Sequence, residues 1–220
     1  MDIYEEIFKK HGLSKTQQEI INLVGTNKTI LEIGSSSGYM TSFFLKNGCV
    51  VDVVETNKAV LTKLPKGVRK ILNYSIEDNK VKNLLAKDYD FIIMADVLEH
   101  LVNPQNAIKI LHQIASKKCG LIISLPNIAS WVMRKQLFFK GDFEYQDTGL
   151  LDRTHLHFFT INTLPKFLFE FGWEVKKLEG TITRLPFESI VSKIPPLYSY
   201  LVNRFKNLSY YHFLVVAFKK

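Results

Sequence analysis

From residue 28 onward the chain alternates short apolar runs with amphipathic stretches, which is the pattern of a mainly parallel sheet covered by helices. The apolar runs predict strands at residues 29–33, 50–55, 68–72, 91–95 and 121–125. The amphipathic stretches between them predict helices at 39–46, 58–63, 81–86 and 104–116. A further helix is expected after Thr160 as N-cap, with Leu164, Phe167, Leu168 and Phe171 at helical spacing and Gly172 as its stop. Two late strands, 173–178 and 213–218, then close the sheet. Residues 1–27 look helical, with Ile20, Ile21, Leu23 and Val24 forming an apolar edge that packs over the core or the mouth of a site. Segments 126–159 and 184–211 break the alternation and read as insertions, where substrate identity would be encoded.

Composition narrows this picture. With 220 residues and 46% hydrophobic content, the chain suits one α/β domain with a sizeable core. The first residues carry acid where a secretory signal carries base, and no run reaches the roughly 18 apolar residues of a membrane span, so a cytoplasmic protein is expected. Cys49 and Cys119 each precede a strand-like run, which points to reduced thiols rather than a disulfide framework or cysteine-rich metal site. The formal charge of +8 is spread along the chain, as on an ordinary solvated surface.

The chemistry gathers at Gly34-Ser35-Ser36-Ser37-Gly38, which runs from the first strand directly into a helix. Gly34 permits the tight turn, and Gly38 permits close backbone approach. The second strand ends in Glu55, at the position where a carboxylate accepts hydrogen bonds from both ribose hydroxyls of a nucleoside. Glu32 lies beneath the loop, either bonded to backbone or touching a ligand.

These features, with Asp90-Phe91-Ile92-Ile93-Met94-Ala95-Asp96-Val97-Leu98-Glu99-His100-Leu101, resemble the class I S-adenosylmethionine-dependent methyltransferases over most of residues 28–180. The resemblance implies a Rossmann-like α/β sheet of seven strands, in order 3-2-1-4-5-7-6 with the last strand antiparallel. It implies S-adenosyl-L-methionine as cofactor and S-adenosyl-L-homocysteine as product. Carried over, the cofactor residues are Glu32, Gly34, Ser35, Ser36, Gly38 and Tyr39 around the methionine part, Glu55 and Thr56 at the ribose, Ser75, Ile76 and Glu77 at adenine, and Ala95, Asp96 and Val97 facing the sulfonium. The chain departs from the family pattern at Ser36, where a middle glycine is common, and at Ser75, where an aspartate is common; Glu77 and Asp78 stand nearby as substitutes. Leu125-Pro126-Asn127 and the stretch from Asp147 to Thr160 look similar to ubiquinone-type and methionine-pathway methyltransferase-like proteins, including enzymes of cell-surface polysaccharide synthesis.

Methyl transfer from a sulfonium needs alignment and exclusion of water, and requires no metal; none is expected here. A hydroxyl acceptor benefits from a base, and His100, His155 and His157 are the candidates. An extended segment would put Arg153, His155, His157 and Phe159 on one face, with the alternative that the histidines bond to backbone. Asn127, Trp131, Asp152 and Arg153 are candidate acceptor contacts. The aromatics of 126–159 are expected to form a lid. The apolar residues of 184–211 form a helical cap, an acceptor pocket, a dimer contact or a peripheral membrane contact.

The resulting expectation is methylation, at oxygen, of a small molecule or glycan precursor. Gly34 and Gly38 enclose three serines instead of the G-x-G-x-x-G of a dinucleotide site, and no tyrosine has a lysine four residues later, which counts against an NAD(P)-dependent oxidoreductase. The fourth strand ends in Ala95-Asp96-Val97-Leu98 instead of an Asp/Asn-Pro-Pro-aromatic motif, and no concentrated basic strip appears. Stable nucleic-acid binding is therefore not expected. A non-catalytic cofactor-binding protein is the first alternative, distinguished by binding without turnover, with a nucleic-acid methyltransferase and an NAD(P)-binding oxidoreductase behind it.

Overall fold

The computed structural model describes residues 3–182 and 192–220. Seven strands form one sheet: β1 (Thr29–Ile33), β2 (Val50–Val54), β3 (Lys70–Leu72), β4 (Phe91–Ala95), β5 (Gly120–Pro126), β6 (Trp173–Ile182) and β7 (Tyr210–Lys219). Their order is β3-β2-β1-β4-β5-β7-β6, as expected, with β7 antiparallel to both neighbours.

The central strands β1, β2, β4 and β5 are largely apolar and buried because helices cover both faces of the sheet there. Leu31 and Ile33 of β1, Ile92 and Met94 of β4, and Leu121 and Ile123 of β5 face one layer, where Leu164, Leu168 and Trp173 also pack. The alternate residues Ile30, Ile93 and Ile122 face the other layer, against Met40 and Phe44 of α3 (Tyr39–Lys46). Ile20, Ile21 and Val24 of α2 (Lys15–Val24) join that second layer, so the N-terminal apolar edge does pack on the core. A capping box starts α2: the Ser14 hydroxyl accepts from the Gln17 amide and the Gln17 side chain accepts from the Ser14 amide. Ahead of it lies α1 (Ile3–His11), whose Phe8 ring stacks on Tyr39 at 5.1 Å.

The remaining helices are α4 (Lys58–Leu61), α5 (Val81–Leu84), α6 (Pro104–Ile114), α7 (Trp131–Lys140), α8 (Thr163–Glu170), α9 (Pro195–Arg204) and α10 (Lys206–Ser209). Thr160 caps α8 from three residues upstream, its hydroxyl accepting from the amides of Asn162 and Thr163, so the helix starts later than its cap suggests. Asp52, buried in β2, accepts from Arg69 through two 2.8 Å bonds and from the Tyr89 hydroxyl at 2.7 Å, which satisfies an otherwise costly interior charge. Cys49 and Cys119 are free thiols, both buried.

The late strands are longer than their apolar runs. β6 continues to Ile182 and β7 begins at Tyr210, because Thr181 pairs with His212 and Ile182 with Tyr210. Residues 210–211, read as insertion, therefore belong to the sheet. Within 184–211, residues 184–191 lie outside the described part, and the rest is α9 and α10. No described helix is long and apolar enough to cross a membrane.

Candidate active site

A cavity of about 620 Å³ opens at the carboxyl ends of the parallel strands, where ligands of open α/β sheets bind. Its walls include Gly34, Ser36 and Tyr39 from the first loop, Glu55 and Thr56 after β2, Ser75, Ile76 and Glu77 after β3, and Ala95, Asp96 and Val97 after β4. Four separate stretches, far apart in sequence, thus converge. His100 also lines it.

The loop is held by the carboxylate that ends β2. Glu55 is buried, its Oε2 accepts from the Ser36 amide at 2.9 Å, and its Oε1 accepts from the Asn57 amide at 2.9 Å. Gly34 adopts φ 71°, and a Cβ there would stand 2.5 Å from Cγ2 of Val97. Only glycine fits so close a contact in the left-handed region. Ser36 (φ 49°) and Asp96 (φ 55°) occupy the same region with side chains, so strain is concentrated at the cavity. The departure from a middle glycine is thus tolerated at a backbone cost, while Glu55 fixes the strained amide.

Three predicted cofactor residues stand outside the cavity lining. Glu32 is buried and accepts from the Thr41 hydroxyl at 2.6 Å, Ser35 is buried, and Gly38 packs on the next connection, a Cβ there lying 2.6 Å from Pro65. The close approach that Gly38 permits is to Pro65 and Leu64. At the third strand's end, Glu77 accepts from the Ser75 hydroxyl at 3.2 Å and from the Asn103 amide, so the acid beside Ser75 pins this wall. Asp78 accepts from the Lys80 amide and is absent from the cavity lining.

Burial pushes Glu32 up to about 7, opposed by the Thr41 bond. The unfolded chain ionises this group near 4.5, so between those values the native state holds a proton that the unfolded state has lost. Stability therefore falls as pH rises through that window, by on the order of 3 kcal/mol. Glu32→Gln is expected to remove most of this fall, measured as the difference in urea-unfolding free energy between pH 4 and pH 8. An equal fall in variant and parent would refute the assignment.

The later candidates separate from one another. Residues 153 and 154 turn instead of extending, so Arg153 is set apart from His155 and His157. Arg153 is exposed and pairs with Asp147 at 2.7 Å; His155 is buried behind the cavity; His157 is half-buried. The turn is held by Asp152, whose Oδ1 accepts from the amide and hydroxyl of Thr154. Asn127 is fully buried, accepting from the Ala129 amide and donating to the carbonyls of Tyr210 and Asn207, so its amide braces β7 rather than facing an acceptor. Trp131 is half-buried at the start of α7. Only Met133 of that helix is buried, against Leu150 and Leu151, and Phe138 and Phe139 are exposed. The expected aromatic lid does not reach the cavity, which takes Thr154 from this insertion.

Sequence reading missed Gln17 and His212. Gln17 lines the cavity and donates to the Tyr39 hydroxyl at 3.4 Å; its capping box was the available signal. His212 Nε2 lies 2.5 Å from Asp96 Oδ1. Because β7 is antiparallel, its first residues reach the same edge as the ends of β4 and β5, which sequence order conceals. A second cavity of about 340 Å³, between α1, α2 and the β7 start, shares Gln17, Tyr39 and Asp96 with the first and includes His212.

The fold and this two-chambered site define a class I S-adenosylmethionine-dependent methyltransferase architecture. The sequence matches the methyltransferase domain family over residues 6–178, and the chain belongs to that family. The fold is similar to that of an S-adenosylmethionine-dependent methyltransferase from Archaeoglobus fulgidus, with TM-score 0.70, 15% identity, and coverage of 99% of this chain and 100% of that one. A methyltransferase from Thermotoga maritima, described as a possible histamine N-methyltransferase, gives TM-score 0.69 at 19% identity, covering 100% and 95%. One from Aquifex aeolicus gives 0.59 at 14%, covering 93% and 89%. The sequence matches no curated protein.

Proposed function

We propose that the larger cavity binds S-adenosylmethionine and that the smaller one admits a hydroxyl-bearing small molecule or glycan precursor for O-methylation. The observation that carries this reading is the shared wall of Gln17, Tyr39 and Asp96, since transfer requires acceptor and donor to meet at one point. The chemistry of the lining fits the cofactor. Glu55 and Thr56 suit ribose hydroxyls, Ser75, Ile76 and Glu77 flank the adenine position, and Gly34 to Ser36 present backbone to the methionine part. Bound there, the cofactor supplies an activated methyl on a sulfonium. Ala95, Asp96 and Val97 face that sulfonium and help exclude water. His212, held by Asp96 through Nε2, lines the smaller cavity, and His100 lines the donor side. Neither His155 nor His157 lines either cavity, so direct proton transfer is assigned to neither.

Ile194, Leu197, Tyr200 and Phe205, exposed on and beside α9, are where a membrane-surface or dimer contact of this insertion would form. Calorimetric titration with S-adenosylhomocysteine is expected to saturate at one site. Radiolabelled methyl transfer to a panel of sugars, quinols and lipid-linked acceptors should then label at least one class. Absence of saturable binding, or a dinucleotide in the cavity, refutes the reading. Binding with no transfer to any acceptor would establish the non-catalytic alternative.

A further inference from the structure

Behind the cavity wall, a short 3-10 turn and a distant loop enclose a buried carboxylate. Glu99, in the turn Leu98–His100, is 1% exposed, and among the described residues neither of its carboxylate oxygens has a hydrogen-bond partner. A buried carboxyl group without a hydrogen-bond partner is costly, and coordination of a metal ion relieves that cost. Two imidazoles stand beside it. His155 Nε2 is 3.9 Å from Glu99 Oε1, the His100 and His155 ring centres are 4.7 Å apart, and one potential ligand atom from each of the three residues lies within 4.8 Å of the others.

The hydrogen bonds around the two rings determine which nitrogen is free. His155 Nδ1 is 3.2 Å from the Leu150 carbonyl, and His100 Nδ1 is 3.2 Å from the Thr154 carbonyl. A carbonyl only accepts, so each Nδ1 carries the proton and each Nε2 keeps its lone pair. The Thr154 hydroxyl gives its own proton to Asp152 at 2.6 Å, which leaves it a further acceptor for His100 Nδ1 at 3.0 Å. This is the outer-shell arrangement that orients metal-binding histidines. The scaffold is clipped together by backbone, since the amides of Leu156 and His157 both donate to the Glu99 carbonyl at 2.8 and 3.0 Å. An ionised Glu99 would thus complete a set of three electron-pair donors within 4.8 Å of one another.

We propose that Glu99, His100 and His155 bind a divalent transition-metal ion of the zinc or manganese type beside the donor cavity. Two imidazoles and one carboxylate leave coordination positions open, as catalytic sites do. Ligand atoms around such an ion sit roughly 3 to 3.5 Å apart, so the three side chains must close on one another by up to roughly 1 to 2 Å on binding. His100 is part of the donor-cavity wall, so the ion would stand on the donor side, within reach of an acceptor that extends through the shared wall into that cavity. The ion's role rests on the methyltransferase reading: an acceptor hydroxyl beside it releases its proton to water more readily. The hydroxyl oxygen then bonds to the methyl carbon as the carbon–sulfur bond breaks, and sulfur keeps that electron pair.

Protein stripped with a chelator and titrated calorimetrically with zinc, then with manganese, is expected to bind one ion per chain at micromolar concentration or below. Glu99→Gln and His100→Asn should each weaken that binding at least 30-fold. His100 borders the cavity and its replacement leaves the core intact, so circular dichroism of that variant should match the parent. Cobalt(II) should give visible ligand-field bands in the parent that are lost in both variants. No saturable binding of any of the three ions, or equal binding by folded variants, overturns the site. S-adenosylhomocysteine binding to stripped protein separates the two readings. If it binds and the metals do not, the metal site alone falls; if the metals bind and it does not, the methyltransferase reading falls.

Discussion

Glu55→Ala is expected to weaken S-adenosylhomocysteine binding by roughly 30- to 1000-fold, equivalent to about 2–4 kcal/mol. Two losses combine in that figure. In the proposed site the carboxylate accepts from the ribose hydroxyls, and charge-assisted bonds are the stronger kind. It also holds the Ser36 and Asn57 amides at 2.9 Å each, so its removal frees a loop whose backbone is already strained at Ser36. Glu55→Gln keeps the volume but offers one acceptor oxygen where two amides converge, and a loss of about tenfold is expected. Calorimetry on both variants, with thermal melts to verify folding, measures the effect. An affinity unchanged in Glu55→Ala would remove Glu55 from the cofactor site.

Gly34→Ala is the second large effect, and it acts on stability as well as binding. Holding alanine at φ 71° costs about 1–2 kcal/mol, and forcing its Cβ against Val97 costs about 1–3 kcal/mol more. Urea unfolding should show a lower midpoint with an unchanged slope, for a total loss of about 2–5 kcal/mol. Because Val97 walls the donor cavity, its displacement should also impair S-adenosylhomocysteine binding. Adding Val97→Ala relieves the contact but not the backbone strain, so the double variant should recover part of the loss. A loss below about 0.5 kcal/mol, or no coupling between the two positions, would refute the steric account.

Much of this molecule was legible in its sequence because the responsible forces are local. Alternation of apolar runs with amphipathic stretches located the strands, since each strand must bury both faces and each helix only one. Gly34 was legible because a strand-to-helix turn needs positive φ, and Glu55 because a carboxylate after the neighbouring strand stands beside that turn, where it accepts from the Ser36 amide. The helix after Thr160 was legible through its cap, though the cap acts from three residues away. Less legible was the region from 126 to 159, where aromatic density suggested a lid. Exposed Phe138 and Phe139 show that aromatic content alone does not say which way a segment faces. Asn127 and Asp152 are residue types that serve substrates and turns equally well, and their bonds to Tyr210, Asn207 and Thr154 place both in structural roles.

By itself the sequence determined the α/β class, the positions of all seven strands to within a few residues, and the glycine loop with its acidic partner, because propensity, periodicity and turn chemistry act over short stretches of chain. Tertiary structure alone decided that His212 meets Asp96, that Gln17 reaches the cavity, and that His100 and His155 stand beside buried Glu99. Those pairings depend on an antiparallel final strand and a folded-back loop that unite residues tens of positions apart, and no local preference records such a meeting.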